Sequence, residues 1–415
     1  MRIDNRDGLP AGDTDDPVLI AAPRGGIPRV IDTPEALADA GEQLRGGRTP
    51  VALDVERAQG FRYGADPYLV QIRREDVGTF LVDTHALPDL TALQDGLNDV
   101  WLLHDAEQDL PNLRSTGLTL PSLFDTEMAA RLTGLRRFGL VAVCEQVLGL
   151  TLLKDHQASD WSVRPLPTDW LRYAALDVEL LTELYRRLSV ALHDRGRWEW
   201  ALEEFAYIAS RPVPAPKKDR WRTLPGAKKI RSRRLLEVLR QLWETRESIA
   251  RDLNISPGLL VRNAALVQAA SQPPRNRRSL LKIGEFRSPV ARQYSEAWLR
   301  AINRGVNADE DQLPPLRAPE IPGAIPDARR WPRIDEDAAA RLTAVRAAVA
   351  EVGDTLDLDP EVVCEPRVQR MIAWAPVEPS RDCEDVIDER MTVSGARAWQ
   401  IDLVRTPIAA ALSSV

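Results

Sequence analysis

Cysteine, histidine and long apolar runs are all scarce in this chain, and each scarcity removes a class of function. Three cysteines stand among 415 residues, at positions 144, 364 and 383, without a CxxC spacing. That argues against a disulfide framework and a thiolate zinc site, and it suits a reducing compartment. The four histidines, at 85, 104, 156 and 193, form no HExxH and no obvious zinc spacing. No GxxxxGK[ST] loop is present, so ATP-driven work has no phosphate cradle here. Gly25-Gly26 and Gly46-Gly47 read as turns rather than as a dinucleotide fingerprint. No apolar run approaches the roughly 20 residues that a membrane-spanning helix needs. The N-terminal Met-Arg-Ile-Asp-Asn-Arg-Asp-Gly lacks the apolar stretch of a secretory signal. The expectation is a cytoplasmic protein with no membrane partner.

What is present is length, charge and a particular set of acids. The chain is long enough for two or three domains, each with its own core. Its formal net charge is −7, but the charge is unevenly spread. Residues 211–300 carry 21 Lys+Arg against 7 Asp+Glu, whereas residues 301–415 carry 13 Arg against 21 Asp+Glu. A basic middle in an acidic chain points to a polyanion partner better than the total does.

Residues 1–27 are rich in Asp, Gly and Pro and read as a disordered lead-in. Over 28–210 short apolar runs alternate with helical patterns. Val51–Val55, Leu69–Arg73, Thr79–Asp83 and Val100–His104 read as strands; Thr33–Leu44, Leu90–Leu97 and Ala106–Ser115 read as helices, with more helices from Thr126 to Leu192. That order predicts an α/β domain with a mixed sheet. Residues 211–230 read as a basic, Pro-rich linker and 231–304 as a compact all-helical module, with Leu235, Leu239, Leu242, Ile249 and Leu253 on one helix face. A second Pro-rich linker, 305–334, precedes a helical segment at 335–415 that repeats the module's plan weakly.

Within the α/β region Asp54 and Glu56 alternate with Leu53 and Val55, so a strand points both carboxylates to one face. Tyr173 and Asp177 lie one helical turn apart and share a helix face. With Asp109 they form a set of hard oxygen donors on rigid elements, suited to Mg²⁺ or Mn²⁺ acting on a phosphodiester. Each residue alone has an ordinary explanation as a solvated edge, a helix cap or a core aromatic.

Their order is more specific. Ala-Leu-Asp-Val-Glu (52–56), His-Asp-Ala-Glu-Gln-Asp-Leu (104–110) and Tyr-Ala-Ala-Leu-Asp (173–177), with Ser-Asp-Trp-Ser-Val-Arg-Pro-Leu (159–166) before the last, resemble the DEDD 3′→5′ exonucleases and among them the ribonuclease D family. The resemblance implies a ribonuclease H-like mixed sheet with helices and two divalent cations, Mg²⁺ or Mn²⁺. Asp54 would bridge the two ions, Glu56 and Asp177 would complete the site for the first, and Asp109 would hold the second. Tyr173 marks the DEDDy subgroup, where the sister subgroup has a histidine one residue earlier; Arg172 stands there in this chain. A phenol is a poor base near neutral pH, so Tyr173 would orient the attacking water rather than deprotonate it. His104 reads as shaping the loop before Asp109, and Gln71 is left out of the site.

Residues 231–304 resemble the HRDC domain on the segments 235–246, 254–261 and 280–286, and 335–415 resembles a degenerate copy of it. In that family the module binds nucleic acid or presents it to the catalytic domain. Lys228, Lys229, Arg231, Arg233 and Arg234 crowd its entry, and Arg275, Arg277, Arg278 and Lys282 form a second cluster. Lys154 and Arg164 are further phosphate candidates, Trp221 is a candidate for base stacking, and Trp243 reads as core. The implied partner is RNA with a free 3′ end, such as a tRNA precursor. A DNA exonuclease of the proofreading or repair kind is one alternative, because no residue here identifies a contact to the 2′-hydroxyl. A non-catalytic RNA-binding adaptor with a decayed site is another, against which the four retained carboxylates and Tyr173 speak.

Overall fold

The computed structural model describes residues 16–153, 158–213, 218–319 and 323–414. Eight strands lie among them: β1 (Val18–Ile20), β2 (Val30–Ile31), β3 (Val51–Arg57), β4 (Pro67–Arg74), β5 (Gly78–Val82), β6 (Val100–Leu103), β7 (Ser122–Asp125) and β8 (Leu150–Leu152). Six form one sheet in the order β2-β5-β4-β3-β6-β7, and β1 pairs with β8 apart from it. The pairs β3–β4 and β4–β5 are antiparallel, and the other pairs are parallel. β3 lies inside the sheet because Val51, Ala52, Leu53 and Val55 are all buried, which needs cover on both faces. That places Asp54 and Glu56 on a rigid strand.

Seven helices pack around the sheet: α1 (Pro34–Arg45), α2 (Ala106–Ser115), α3 (Thr126–Leu132), α4 (Leu140–Leu148), α5 (Thr168–Asp177), α6 (Leu181–Asp194) and α7 (Trp198–Ser210). The expected helix at Leu90–Leu97 is a 3₁₀ turn, Thr91–Leu97. It lies so close to α1 that a Cβ on Gly96 would fall 2.7 Å from the Cβ of Leu44. The lead-in also needs correction. From Asp16 onward it is described, and β1 pairs in register with β8, Val18 opposite Leu150; residues 1–15 lie outside the described residues.

The helical module comprises α8 (Arg233–Asp252), α9 (Pro257–Leu260), α10 (Asn263–Ser271), α11 (Arg277–Leu280), α12 (Pro289–Gln293) and α13 (Ser295–Val306). Its core reaches back into the supposed linker: Trp221, Leu224, Ala227 and Ile230 are buried with Leu239, Leu242, Phe286 and Trp298. Residues 218–230 therefore belong to the module; 214–217 lie outside the described residues. The third segment comprises α14 (Trp331–Ile334), α15 (Glu336–Leu356), α16 (Pro360–Val363), α17 (Pro366–Trp374), α18 (Cys383–Val393) and α19 (Ala398–Leu412). Trp331, inside the second supposed linker, is fully buried in its core. In both modules a long helix of 20 or 21 residues precedes a four-residue helix opening on proline and then a nine-residue helix.

Candidate active site

The structure brings the expected acids together. Asp54 sits opposite Gln71 and Glu56 opposite Leu69 in the β3–β4 register. On that face Leu69 and Leu81 pack with Trp161, Leu166, Tyr173, Ala174 and Ala175 in one apolar cluster. The Trp161 ring lies 6.3 Å from that of Tyr173 and 5.3 Å from that of Trp170. The segment before the third motif thus has a physical job: it seats α5 on the sheet. So seated, α5 delivers Asp177, and carboxylate oxygens of Asp54, Glu56 and Asp177 lie within 4.8 Å of one another.

Asp109 comes from the first turn of α2 and lines the same cavity, of about 610 Å³. Asp125 fixes where that helix begins, accepting from the Ala106 amide at 2.8 Å while capping α3 through the amides of Glu127 and Met128. Glu56 and Asp109 are buried, and Asp54 and Asp177 are partly exposed.

Burial and mutual repulsion dominate the electrostatics. Burial pushes Asp54 up to about 6. Burial first, then the charge of neighbouring carboxylates, pushes Glu56, Asp109 and Asp177 well above the usual carboxylate range. Burial and then the charge of Asp177 and Glu56 raise the Tyr173 phenol, which hydrogen-bonds Asp177. A converging all-oxygen set that repels itself fits a hard divalent cation. His104 lines the cavity, but burial lowers it to about 4, and its Nδ1 lies 2.9 Å from Thr126 Oγ1. Near neutral pH that leaves it uncharged, and its ring joins the end of β6 to the start of α3.

Two neighbours of the acids lie outside the set that the sequence singles out: Gln71, which is left out of it, and Arg57. Gln71 is fully buried, and neither of its amide atoms has a partner among the described residues. Arg57 closes β3 at the cavity wall. Nothing in a single sequence distinguishes either from an ordinary strand residue, although the register opposite Asp54 was already implicit in the hairpin.

The phosphate candidates divide. Lys154 lies outside the described residues. Arg164 is not a phosphate contact: its guanidinium donates to Asp83 Oδ1 at 2.6 Å, to Tyr68 O at 2.9 Å and to Trp161 O at 2.7 Å, and so clamps the segment under α5. Arg233 and Arg234 are tied to the chain leaving α13 through three hydrogen bonds each, although Arg233 stays exposed. Arg233 donates to Leu313 O at 2.7 Å, and Arg234 to Ala308 O and Glu310 Oε1, both at 2.7 Å. Trp221 is buried and unavailable for stacking, and Trp243 packs on the module's core as expected. Lys228, Lys229, Arg231, Arg275, Arg277, Arg278 and Lys282 are exposed.

Comparison with known proteins agrees with this geometry. The 3′-5′ exonuclease family matches residues 28–193, the HRDC domain matches 236–302, and the 3′ to 5′ exonuclease C-terminal domain matches 324–412. Fold and site together define a 3′→5′ exonuclease dependent on divalent metal. The ribonuclease D of Acidiphilium cryptum is 30% identical over 315 residues, 73% of this chain and 77% of that one. The chain belongs to the ribonuclease D family and is a 3′→5′ exoribonuclease. A solved protein from Bifidobacterium adolescentis is 34% identical with a TM-score of 0.87, covering 96% of this chain and all of that one. The RNase D of Escherichia coli, described as an exoribonuclease involved in structured RNA processing, shares the fold at 24% identity, with a TM-score of 0.65 over 93% of this chain and 98% of that one.

Proposed function

We propose that this protein trims the 3′ ends of structured RNAs, tRNA precursors among them, in the cytoplasm, releasing nucleoside 5′-monophosphates. The observation that carries the reading is the convergence of Asp54, Glu56 and Asp177 within 4.8 Å beside Asp109 in one cavity. In this reading Asp54, Glu56 and Asp177 would hold one divalent cation, Mg²⁺ or Mn²⁺, and Asp109 with Asp54 would hold a second. Cations held there would make a bound water more acidic and would offset charge on the departing 3′ oxygen. The chain's own residues do the rest. Tyr173 keeps its proton, because burial and two carboxylates oppose phenolate, so it orients the water by hydrogen bonding. Leu53, Leu140, Val141 and Leu181 supply the apolar part of the cavity wall.

The preference for structured RNA is supported by the likeness to the Escherichia coli enzyme and by the exposed cations of the HRDC module, which attract phosphates without reading sequence. The shared helix plan supports the third segment as a diverged copy of that module. Incubating the protein with Mg²⁺ or Mn²⁺ and 3′-tailed RNA or DNA, beside Asp54→Asn, tests the reading. Monophosphates released from RNA by the intact protein and not by the variant support it. Degradation of DNA with RNA untouched overturns the substrate, and RNA bound without release overturns catalysis.

A further inference from the structure

The cavity that holds the four acids is also lined by Asp105 and Glu127, and Arg57 is the one cationic side chain among its described lining residues. A polyanion entering such a cavity meets repulsion wherever a bound cation does not face it. Arg57 stands one residue after Glu56, its side chain 22% exposed. Its Nη1 donates to the Gln108 carbonyl at 2.9 Å and its Nη2 to Gln108 Oε1 at 3.3 Å. Asp109 Oδ1 lies 3.6 Å from Nη2, beyond hydrogen-bond length, so that contact is electrostatic. A guanidinium has five N–H donors. Gln108 fixes the fork while engaging only two of them.

Resting on the nuclease reading of this cavity, we propose that Arg57 grips a phosphate of the bound strand at its 3′ end. Without a cation, Arg57 balances Asp109. A cation held by Asp109 would take over that balance and leave the remaining donors of Arg57 for the strand. The planar fork matches two non-bridging phosphate oxygens, which a lysine ammonium does not.

The test compares Arg57→Gln and Arg57→Lys with the intact protein. Steady-state cleavage of 3′-tailed RNA in Mn²⁺ is read beside calorimetric titration of Mn²⁺ into RNA-free protein. In Arg57→Gln, kcat/KM falls about 10- to 100-fold, as for a lost hydrogen bond to a charged group. Mn²⁺ affinity holds or rises, because a positive charge beside Asp109 is gone. Arg57→Lys retains part of the activity through charge alone. Unchanged kcat/KM in Arg57→Gln overturns the proposal. So does Mn²⁺ affinity falling in step with activity, which would make Arg57 a scaffold for Asp109. Asp54→Asn separates the two failures: if that variant cleaves like the intact protein, the cavity itself is misread, whereas its inactivity beside a fully active Arg57→Gln removes Arg57 alone.

Discussion

At the scale of the residue, the site is a set of carboxylates that the fold holds against their own repulsion. Each takes up its proton at higher pH in the folded chain than in the unfolded one. Between those two values the folded state binds more protons, so this contribution to stability falls as pH rises. For Asp54 it is fully present below 3.8 and lost as pH rises through about 6. A divalent cation must displace those protons and relieves the repulsion that remains. Melting curves with chelator and with Mn²⁺ should therefore show a larger Mn²⁺-induced gain at about pH 7.5 than at about pH 5.5. An equal gain at both would separate the cation from these acids. By the same reasoning Asp54→Asn raises the metal-free stability by about 1–3 kcal/mol while lowering cleavage by at least ~10³-fold. Tyr173→Phe behaves differently: Mn²⁺ affinity stays and kcat falls about 10- to 100-fold, the loss of an orienting hydrogen bond. A fall in Mn²⁺ affinity would instead make the phenol a support for Asp177. Asp54, Glu56 and Asp177 were legible in the sequence because alternation on β3 and the one-turn spacing on α5 each fix a shared face, whereas Asp109 was legible only through the motif order that resembles the DEDD exonucleases. Arg57 and Gln71 were not, because their meaning lies across the hairpin and across the cavity.

At the scale of the element, strands that carry an alternating or unbroken apolar run could be read from it, and the others could not. β3, β4, β5 and β6 fall where alternation and apolar runs place them. β1, β2 and β8 have three, two and three residues, too few for a period to emerge, and β7, as long as β6, has only Leu123 and Phe124 apolar where β6 is apolar throughout. The linkers failed for another reason. Proline and lysine dominate 211–230 by number, but burial of Trp221, Leu224 and Ile230 outweighs them by area. That changes what the basic entry does. Arg233 and Arg234 hold the chain leaving α13 through carbonyls between Val306 and Pro314, whereas Lys228, Lys229 and Arg231 face solvent. Replacing the second group with glutamine should weaken RNA binding and make its logarithmic salt dependence shallower by about 2 units, with the melting temperature unchanged. Replacing Arg233 and Arg234 should lower the melting temperature and leave that slope alone. Salt titrations of binding beside melting curves separate the two groups, and the reverse pattern would restore Arg233 and Arg234 as phosphate contacts.

At the scale of the whole molecule, both helical modules are fastened to the nuclease domain, at different places. The HRDC module meets the β3–β4 loop: the Ser256 amide donates to Phe61 O at 2.8 Å, and Arg251 reaches the Tyr63 hydroxyl at 3.1 Å. The same loop ties to the segment under α5 through Arg62 and Ser162, 2.6 Å apart. The third segment is acidic and unsuited to phosphate, and it docks on α7. Trp200 and Trp399 stack with ring centroids 4.9 Å apart. Glu204, almost fully buried, accepts from Arg397 at 2.7 Å and from Trp399 Nε1 at 2.9 Å. No sequence pattern announces such a junction, because its partners are some 190 positions apart. Burial raises the Glu204 carboxyl, and Arg397 opposes that rise. Arg397→Ala leaves a buried carboxylate with only the indole, which costs about 3–5 kcal/mol near neutral pH. Its folded-state pKa then climbs further above 4.5, so stability is kept at low pH and lost as pH rises through the new value. The deficit against the intact protein should therefore shrink as pH is lowered. Adding Glu204→Leu to Arg397→Ala removes the stranded charge and should recover much of the loss at neutral pH. Urea unfolding of the two variants at two pH values checks both expectations. A deficit independent of pH and not relieved by the second substitution would place the strength of this junction in the stacked tryptophans instead of the ion pair.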